Sequence, residues 1–367
     1  MKMIKKWIAC LMAVGMMLSL TACGVSGDQV AVNKPQQKDP DAKKRIAVSM
    51  PTKDLQRWAQ DGSNMKAQLE KQGYDVDIQY ANNDIATQVS QIENMIAVNP
   101  DVLVVASIDG SALGTALQGA KGLGIPVIAY DRLIMQSDAV SYYATFDNEL
   151  VGELQGQYIA DKLDLKNAKG PFNIELFTGS SDDNNCNYFF GGAMKILQPY
   201  IDSGKLVVRS GSTTLAECAT ANWSTEEAQK RMENILAAYY QDGTKLDAVL
   251  SSNDSVANGI TNALVASYKG DFPILTGQDC DITSVKNIIA GKQSMSIFKD
   301  TRQLASKVVE MVTAIIEGKE VPVNDTESYD NGKGIVPTYL CQPVFADQDN
   351  YKEVLIDSGY YKESDVK

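Results

Sequence analysis

The sequence predicts an α/β protein built of doubly wound parallel sheets in two similar lobes. Short apolar runs such as Val102-Leu103-Val104-Val105-Ala106 are typical of strands that are buried on both faces, as in parallel sheets. Amphipathic helical segments separate these runs at intervals of about 20 to 30 residues, as βαβ units require. The alternation restarts after Asn148, which indicates two consecutive sets of units with a cleft between them.

The first set begins where the polar N-terminal segment gives way to Arg45-Ile46-Ala47-Val48-Ser49-Met50, and Pro51 ends this strand. Strands are predicted at 45–50, 74–80, 102–106 and 125–130. Helices are predicted between them at about 58–72, 84–98 and 111–123. Asp84 is a suitable N-cap for the second helix, and Ile85, Val89, Ile92 and Ile96 follow it at helical spacing.

The second set has the same alternation. Strands are predicted at 172–177, 206–209, 248–250 and 274–276, and helices at 149–163, about 192–200, 225–240 and 256–268. After 294–298 a helix is predicted at about 301–316. A loop rich in Asp, Asn and Gly at 324–334, a short strand and a terminal helix near 351–358 complete the chain.

The N-terminus predicts export and a lipid anchor. Lys2, Lys5 and Lys6 precede an apolar run that is too short to span a bilayer and that ends at Leu20-Thr21-Ala22-Cys23. This box resembles the bacterial lipoprotein signal, which implies cleavage before Cys23 and lipidation of that cysteine. An ordinary cleaved signal is the alternative. We expect residues 1–22 to be the signal peptide and residues 23–44, which are polar, to be a flexible tether. The protein is then held at the outer face of the membrane.

Composition excludes several classes of function. The 367-residue chain has a net charge of −12, which becomes −15 without the three lysines of residues 1–22, so a nucleic-acid partner is not expected. The chain has no histidine, which excludes Ser-His and Cys-His catalysis and any His-ligated metal. The remaining cysteines Cys186, Cys218, Cys280 and Cys341 allow three disulfide pairings and lack the spacing of a metal cluster. No cofactor and no metal are implied, and we expect a monomer.

Polar residues follow many of the predicted strands, and in parallel sheets ligands bind outside the carboxyl ends of the strands. Asp131-Arg132 follows the strand at 125–130, and each such pair taken alone is better explained as a turn or a helix cap. Their recurrence in both sets instead favours a binding site. Planar polar groups with Trp58 and Trp223 suit a sugar, whose hydroxyls they bind and whose C–H face packs on an indole ring.

The sequence also resembles a known family. The segments SMPTKDLQRWAQDG, IPVIAYDRLI, YYATFDNELVGELQ, DDNN, SNDS and TGQDCD are similar to those of solute-binding proteins of bacterial sugar ABC importers, especially the xylose-binding and agrobacterial multiple-sugar-binding proteins. The resemblance covers about residues 45–367. It implies the type I periplasmic-binding-protein fold, with two lobes joined by three crossovers near Asn148, Phe298 and Leu340. The implied lobes are 45–148 with 299–340, and 149–298 with 341–367.

The resemblance implies a set of ligand residues and a partner. By position these residues are Lys53, Arg57, Trp58, Asp131, Arg132, Asn185, Trp223, Asn253, Asp279 and Lys299, with the two tryptophans clamping a monosaccharide. The implied partner is the permease of an ABC importer. Cys186 and Cys280 stand where the family has a small residue. A Cys186–Cys218 disulfide is a hypothesis, because both cysteines are expected in loops of the second lobe near the cleft.

Other functions remain open at this point. A chemoreceptor or a sensor kinase could read the closed form as well as a permease could. A transcriptional regulator with this core is remote, because a signal sequence stands where a DNA-binding helix would be. An exported carbohydrate enzyme could use Asp182-Asp183, but these residues lie in a turn-like segment. The choice among xylose, glucose, galactose and arabinose is not fixed by these residues.

Overall fold

The protein is described by a computed structural model over residues 42–367. The predicted signal peptide, Cys23 and most of the predicted tether lie outside these residues. Within them, no helix is long and apolar enough to cross a membrane.

A six-stranded parallel sheet is built from the first part of the chain and one late strand. Its order is β11-β5-β4-β3-β1-β2, and every neighbouring pair is parallel. The strands are β1 (Arg45–Met50), β2 (Asp75–Tyr80), β3 (Val102–Val105), β4 (Val127–Tyr130), β5 (Val140–Phe146) and β11 (Thr338–Cys341).

Helices cover both faces of this sheet, which makes it doubly wound. One face packs on α1 (Gln56–Lys71) and α10 (Thr301–Glu317), through residues such as Met65, Leu69 and Val308. The other face packs on α2 (Ile85–Ala97) and α3 (Gly114–Leu123), through Ile92 and Leu117. The central strands are buried throughout, as their apolar runs predict.

A four-stranded parallel sheet follows, in the order β7-β6-β8-β9. Its strands are β6 (Phe172–Phe177), β7 (Leu206–Val208), β8 (Ala248–Ser251) and β9 (Ile274–Leu275). Its helices are α4 (Asn148–Lys162), α5 (Asn185–Asp202), the short α6 (Leu215–Cys218), α7 (Thr225–Tyr239), α8 (Asp254–Ser267) and α9 (Ile282–Ile289). Apolar clusters lie on both faces of this sheet also. The doubly wound α/β class predicted from the sequence is therefore confirmed.

The chain passes between the two sheets three times. It leaves the six-stranded sheet after Phe146, returns after β10 (Met295–Phe298) to form α10, and leaves again after Cys341. Strand β10 pairs antiparallel with β12 (Val344–Asp347), and a parallel bridge from Gln278 to Ile297 connects β10 to the loop after β9. The exact limits of the two lobes, as given from the sequence, stay a prediction.

Several elements differ from the sequence prediction. Strand β5 and helix α9 were not predicted, and α5 begins at Asn185 rather than near residue 192. The segment after Asn185 contains Gly191 and Gly192, which are poor helix formers. Packing overrides propensity here, because a Cβ at Gly192 would lie 2.2 Å from the carbonyl oxygen of Glu149 on α4. The terminal helix predicted near 351–358 is a π-helical segment at Lys352–Asp357, and a 3₁₀ turn at Glu363–Asp365 follows it.

Candidate functional site

One cavity gathers residues from the carboxyl ends of strands in both sheets. Together with the solvent at its mouth, it contains about 390 Å³ of space between atoms. Its walls include nine of the ten residues predicted from the sequence, namely Arg57, Trp58, Asp131, Arg132, Asn185, Trp223, Asn253, Asp279 and Lys299. The tenth, Lys53, is exposed and does not line the cavity; its ammonium lies 4.7 Å from the centre of the Tyr80 ring.

Six further residues line the cavity and were not in the predicted set of ligand residues. They are Leu55, Asp183, Phe189, Ser255, Gln278 and Asp281. Asp183 precedes Asn185 in the DDNN segment, and Gln278 and Asp281 flank Asp279 in GQDCD, so proximity in sequence to the predicted residues was the available signal. Phe189 lies one helical turn after Asn185 on α5, a spacing that becomes visible only once that helix is known to begin there.

Arg57 is the most heavily paired cation of the cavity. It lies in the first turn of α1, and its guanidinium contacts Asp61 at 2.8 Å, Asp131 at 2.9 Å and Asp279 at 3.6 Å. Burial lowers the pKa of Arg57, but the three carboxylates outweigh burial and hold that pKa well above its usual value. The guanidinium also lies 4.5 Å from the centre of the Trp58 ring, within cation–π distance.

Asp61 supports Arg57 from behind the cavity wall. It lies four residues after Arg57 on α1, is fully buried, and accepts a short hydrogen bond from the hydroxyl of Tyr130 at the end of β4. Burial raises the pKa of Asp61 to about 6, an effect that the Arg57 charge only partly offsets. The i, i+4 spacing of an arginine and an aspartate was a signal in the sequence that pointed to this pair.

Asp131 is held in a left-handed backbone conformation at the end of β4, with φ of 60°. Its carbonyl oxygen accepts hydrogen bonds from the Tyr143 hydroxyl at 2.6 Å, from Thr145 at 3.0 Å and from the Asn185 amide at 2.8 Å. Burial alone raises the pKa of the Asp131 carboxyl. The positive charges around it, with Arg57 first, outweigh burial and lower that pKa below its ordinary value.

Lys299 follows β10 and faces two carboxylates. Its ammonium lies 3.2 Å from Asp279 and 3.8 Å from Asp131, and the side chain is buried. Asp279 therefore sits between Arg57 and Lys299. The backbone of Asp279 has a φ of 96°, which is in the left-handed region, and lies at the turn that follows β9.

Arg132 and Asp183 form a separate ion pair. The Arg132 Nε lies 2.9 Å from the Asp183 carboxylate, and Arg132 also donates to the carbonyls of Ser107 and Ile108. Arg132 and Asp131 do not form an ion pair with each other within the described residues. Burial raises the pKa of Asp183, and the Arg132 charge offsets only part of this effect.

Two tryptophans supply the apolar part of the wall. Trp58 and Trp223 are 2% and 5% exposed, and neither indole N–H has a hydrogen-bond partner among the described residues. Trp223 lies in a tight turn with φ of 55°. Its ring packs on Gly179, where a Cβ would lie 2.1 Å from ring carbons. Only glycine therefore leaves room for this tryptophan.

Asn185 and Asn253 line the cavity and also have local roles. The Asn253 side chain accepts from the backbone N–H of Val256 at 3.0 Å and so caps α8, as the alternative interpretation of the sequence suggested. Asn185 accepts from Tyr143 and from Asn148, each at 3.1 Å, in addition to its bond to Asp131. Its amide thus connects the first turn of α5 to the six-stranded sheet.

The hypothesis of a Cys186–Cys218 disulfide is wrong, because Cys186, Cys218, Cys280 and Cys341 are all free thiols. Cys186 donates to the Ser180 carbonyl, whereas Cys218 donates to the Ser212 carbonyl, so the two thiols have different partners. Neither Cys186 nor Cys280 lines the cavity; both are buried in the packed interior beside it. Within residues 42–367, no group of His, Cys, Asp and Glu side chains could hold a metal ion.

Two doubly wound sheets that share one polar cavity with tryptophan in its wall define a binding protein of the type I periplasmic fold. Residues 46–320 match the periplasmic binding protein domain. The chain therefore belongs to the periplasmic binding protein family.

Relatives of known function support this assignment along almost the whole chain. The multiple sugar-binding periplasmic receptor ChvE of Rhizobium radiobacter is 50% identical over 354 residues, which cover 95% of this chain and 99% of the receptor. The D-xylose-binding periplasmic protein of Escherichia coli is 38% identical over 325 residues, which cover 88% of this chain and 93% of that protein. A solved structure, that of an ABC transporter solute-binding protein from Clostridium phytofermentans with bound β-D-glucose, is 68% identical in sequence to this chain. The two structures match with a TM-score of 0.87, over 88% of this chain and 100% of the other.

Proposed function

We propose that this protein is a receptor that captures one monosaccharide, an aldopyranose, in the cavity and delivers it to an ABC importer. The observation that carries the proposal is the combination of two buried indole rings with seven charged side chains around one cavity. The indole rings offer apolar faces to a pyranose, and the carboxylates and guanidinium groups offer acceptors and donors to its hydroxyls. The glucose-bound relative and the xylose-binding relative are consistent with a pyranose ligand.

The ligand roles inside the cavity follow from the side chains. Asp131, Asp279 and Lys299 are proposed to bind neighbouring hydroxyls, with Arg57 and Arg132 as further donors. Trp58 and Trp223 pack on the sugar ring. Because these groups are buried, each charged hydrogen bond acts in a medium of lower dielectric than water and is strengthened. Closure of the two proposed lobes over the sugar then gives the permease a shape to recognise.

Binding can be measured directly on the chain from Gly24 onward. The chain has three tryptophans, and without residues 1–22 only Trp58 and Trp223 remain. We expect D-glucose or D-xylose to raise the unfolding midpoint and to change tryptophan fluorescence, because both indoles contact the sugar. Trp58→Phe and Trp223→Phe should each remove part of the fluorescence change. The absence of a response to any aldose, ketose or disaccharide would refute the proposed function.

Export and lipid attachment at Cys23 are part of the proposal. The basic N-terminal segment, the short apolar run and the Leu-Thr-Ala-Cys box support it. Intact-mass analysis of the membrane fraction should show the loss of residues 1–22 and the addition of a lipid, and Cys23→Ser should release the protein from the membrane. Recovery of the Cys23→Ser variant in the membrane fraction at the wild-type level would contradict lipid anchoring.

The remaining alternatives are separated by two assays. A chemoreceptor or sensor-kinase output predicts sugar binding without an effect on uptake when the gene is deleted, whereas the importer predicts loss of uptake. Release of a chromophore from aryl glycosides would favour the carbohydrate enzyme instead of a receptor.

A further inference from the structure

The cavity and the wall directly behind it contain more carboxylates than cations. Six carboxylates are present, from Asp61, Asp131, Asp183, Asp254, Asp279 and Asp281, against the three cations Arg57, Arg132 and Lys299. Each of these three cations already forms an ion pair with at least one of the carboxylates. Arg57 is shared by three carboxylates, Lys299 by two, and Arg132 is paired with Asp183.

Asp254 and Asp281 are the two carboxylates that form no ion pair with these cations, and of the two only Asp281 lines the cavity. Asp281 lies at the N-cap position of α9, but its side chain makes no capping hydrogen bond. Within residues 42–367 it has no ion pair. The charged and titratable groups that face it are Asp279 and Cys280 in the same loop, Arg57 on α1, Asp254 on α8 and Tyr361 near the C-terminus.

Gln278 adds a second acceptor without a donor in the same part of the wall. The side chain is 2% exposed, and its Nε2 donates to the Ser252 carbonyl at 3.2 Å. Its Oε1 is buried and has no donor among the described residues. Such an unpaired buried acceptor costs free energy unless a bound group supplies a hydrogen.

Asp254 makes hydrogen bonds to the backbone of both Gln278 and Asp281. Its backbone N–H donates to the Gln278 carbonyl at 2.9 Å, and its carboxylate accepts from the Asp281 N–H at 2.8 Å. Asp254 is itself fully buried, with hydrogen bonds from Gln293 and Ser296 but no cation. This end of the cavity therefore offers the Gln278 and Asp281 side-chain oxygens as acceptors, without a cation paired to them in the described part of the chain.

We propose that the cavity accepts a monosaccharide that carries a protonated amine, with the ammonium group bound by Asp281 and Gln278. This inference rests on the proposed function and names a ligand class for the same cavity. An ammonium donates three hydrogen bonds, whereas a hydroxyl donates one, and it also supplies the positive charge that the surrounding side chains lack.

The number of protons released on binding should differ between an amino sugar and a neutral sugar. Burial, together with the neighbouring Asp279 charge, raises the pKa of Asp281 to about 7. At about pH 6 the Asp281 carboxyl is therefore mostly protonated, and an arriving ammonium favours the charged carboxylate. Binding of an amino sugar then releases up to about one proton, and a neutral sugar should release fewer.

Titration calorimetry on the chain from Gly24 onward tests the proposal. The probes are D-glucose, D-glucosamine and 6-amino-6-deoxy-D-glucose at about pH 6, each in two buffers of different ionisation enthalpy, which gives the number of protons released. We expect at least one amino sugar to bind as tightly as glucose or more tightly and to release about one proton. Asp281→Asn should lower the affinity for that amino sugar, relative to glucose, by about tenfold or more. Asp271→Asn, which removes an exposed carboxylate, should leave the ratio unchanged.

The outcomes separate this proposal from the proposed function. Glucose binding with every amino sugar more than about tenfold weaker would overturn the amino-sugar proposal and leave the aldose receptor standing. A ratio of amino-sugar to glucose affinity that is the same in Asp281→Asn as in the wild-type protein would also overturn it, and a ratio of affinities does not depend on how much of the variant folds. Failure of all three sugars and of the other aldoses would instead overturn the proposed function.

Discussion

The Arg57 guanidinium and the Asp61 carboxylate lie 2.8 Å apart, one helical turn from each other on α1, and both side chains are buried. Asp61 also accepts a hydrogen bond from the Tyr130 hydroxyl, so one carboxylate connects α1 to the end of β4. The pair fixes the direction of the guanidinium that reaches Asp131 and Asp279 across the cavity. Removing the carboxylate therefore affects both stability and ligand binding.

We expect Asp61→Ala to lower the free energy of unfolding by about 3 kcal/mol at pH 8, because it leaves part of a buried guanidinium and a buried hydroxyl without a partner. Glucose affinity should fall as well, since Arg57 loses its orientation. Urea unfolding and calorimetry measure the two effects. The matched control is Glu70→Ala, which removes the exposed partner of Lys66 at the same i, i+4 spacing on the same helix and should cost about 0.5 kcal/mol or less. Equal losses for the two variants would contradict the prediction.

Gly179→Ala should displace Trp223 and weaken sugar binding by about tenfold or more, because the new Cβ would lie 2.1 Å from the indole ring. Gly191→Ala is the control: it lies on α5 with no atom within 4 Å of the added Cβ, and alanine favours the helix by about 0.5–1 kcal/mol. Calorimetry and the tryptophan spectrum of both variants check this. Wild-type affinity in Gly179→Ala would show that the ring position does not matter for binding.

The stability of the sugar-free protein should fall as the pH rises from about 5 to about 7.5. The pKa of Asp61 is raised to about 6 and that of Asp281 to about 7 in the folded chain, above the value of about 3.9 in an unfolded one. The folded chain therefore holds protons that the unfolded chain has lost, and this stabilisation disappears as the pH passes the folded pKa values. Asp131, whose folded pKa is lowered, acts in the opposite direction and loses its stabilising effect only as the pH falls.

Urea unfolding at several pH values measures this dependence. Asp281→Asn removes one of the linked protons, so its stability should fall less steeply between about pH 6 and 7.5 than that of the wild type. Asp271→Asn should follow the wild-type curve. A wild-type stability that increases over this range would show that the raised pKa values are not those of the folded protein.

The four thiols should react slowly in the folded protein and completely in the unfolded one. Burial raises the pKa of Cys218 to about 11 and that of Cys341 to about 12, and raises those of Cys186 and Cys280 well above the usual value. Little thiolate is then present at about pH 8. Intact mass after alkylation without reductant, on the chain from Gly24 onward, should show four adducts in denaturant and few without it. Two adducts in denaturant would indicate a disulfide.

The sequence was most informative where one local pattern determines the structure. Strand β1 has the bounds that its apolar run predicts, and Asp84 caps α2 by accepting from Thr87. The length of an apolar run could not reveal β5, because its partly buried first residues Val140, Ser141 and Tyr142 carry an aliphatic, a polar and an aromatic side chain without a clear period. Its position depends on pairing with β4 and with β11, which is remote in sequence.

The sequence predicted most of the residues that line the cavity, but it did not predict which of them form ion pairs with each other. Polar residues at strand ends placed Asp131, Asp279 and Lys299 near one another, and the two tryptophans suggested a sugar. The resemblance added that these tryptophans clamp the sugar between them. Which carboxylate shares which cation depends on side-chain directions across the two sheets, as between Arg57 and Asp279. Lys53 shows the limit of position in sequence, because it lies four residues before Arg57 yet is exposed beside Tyr80.

The order of strands in the larger sheet has a consequence for biosynthesis. Strand β11 (Thr338–Cys341) pairs with β5 but is made after the whole of the smaller sheet. The six-stranded sheet begins to form first, but it cannot be completed until almost the entire chain has left the ribosome. Contacts between segments so far apart in sequence form slowly. We expect the nascent protein to remain incompletely folded during synthesis, and the proposed export would then act on a chain that has not yet folded.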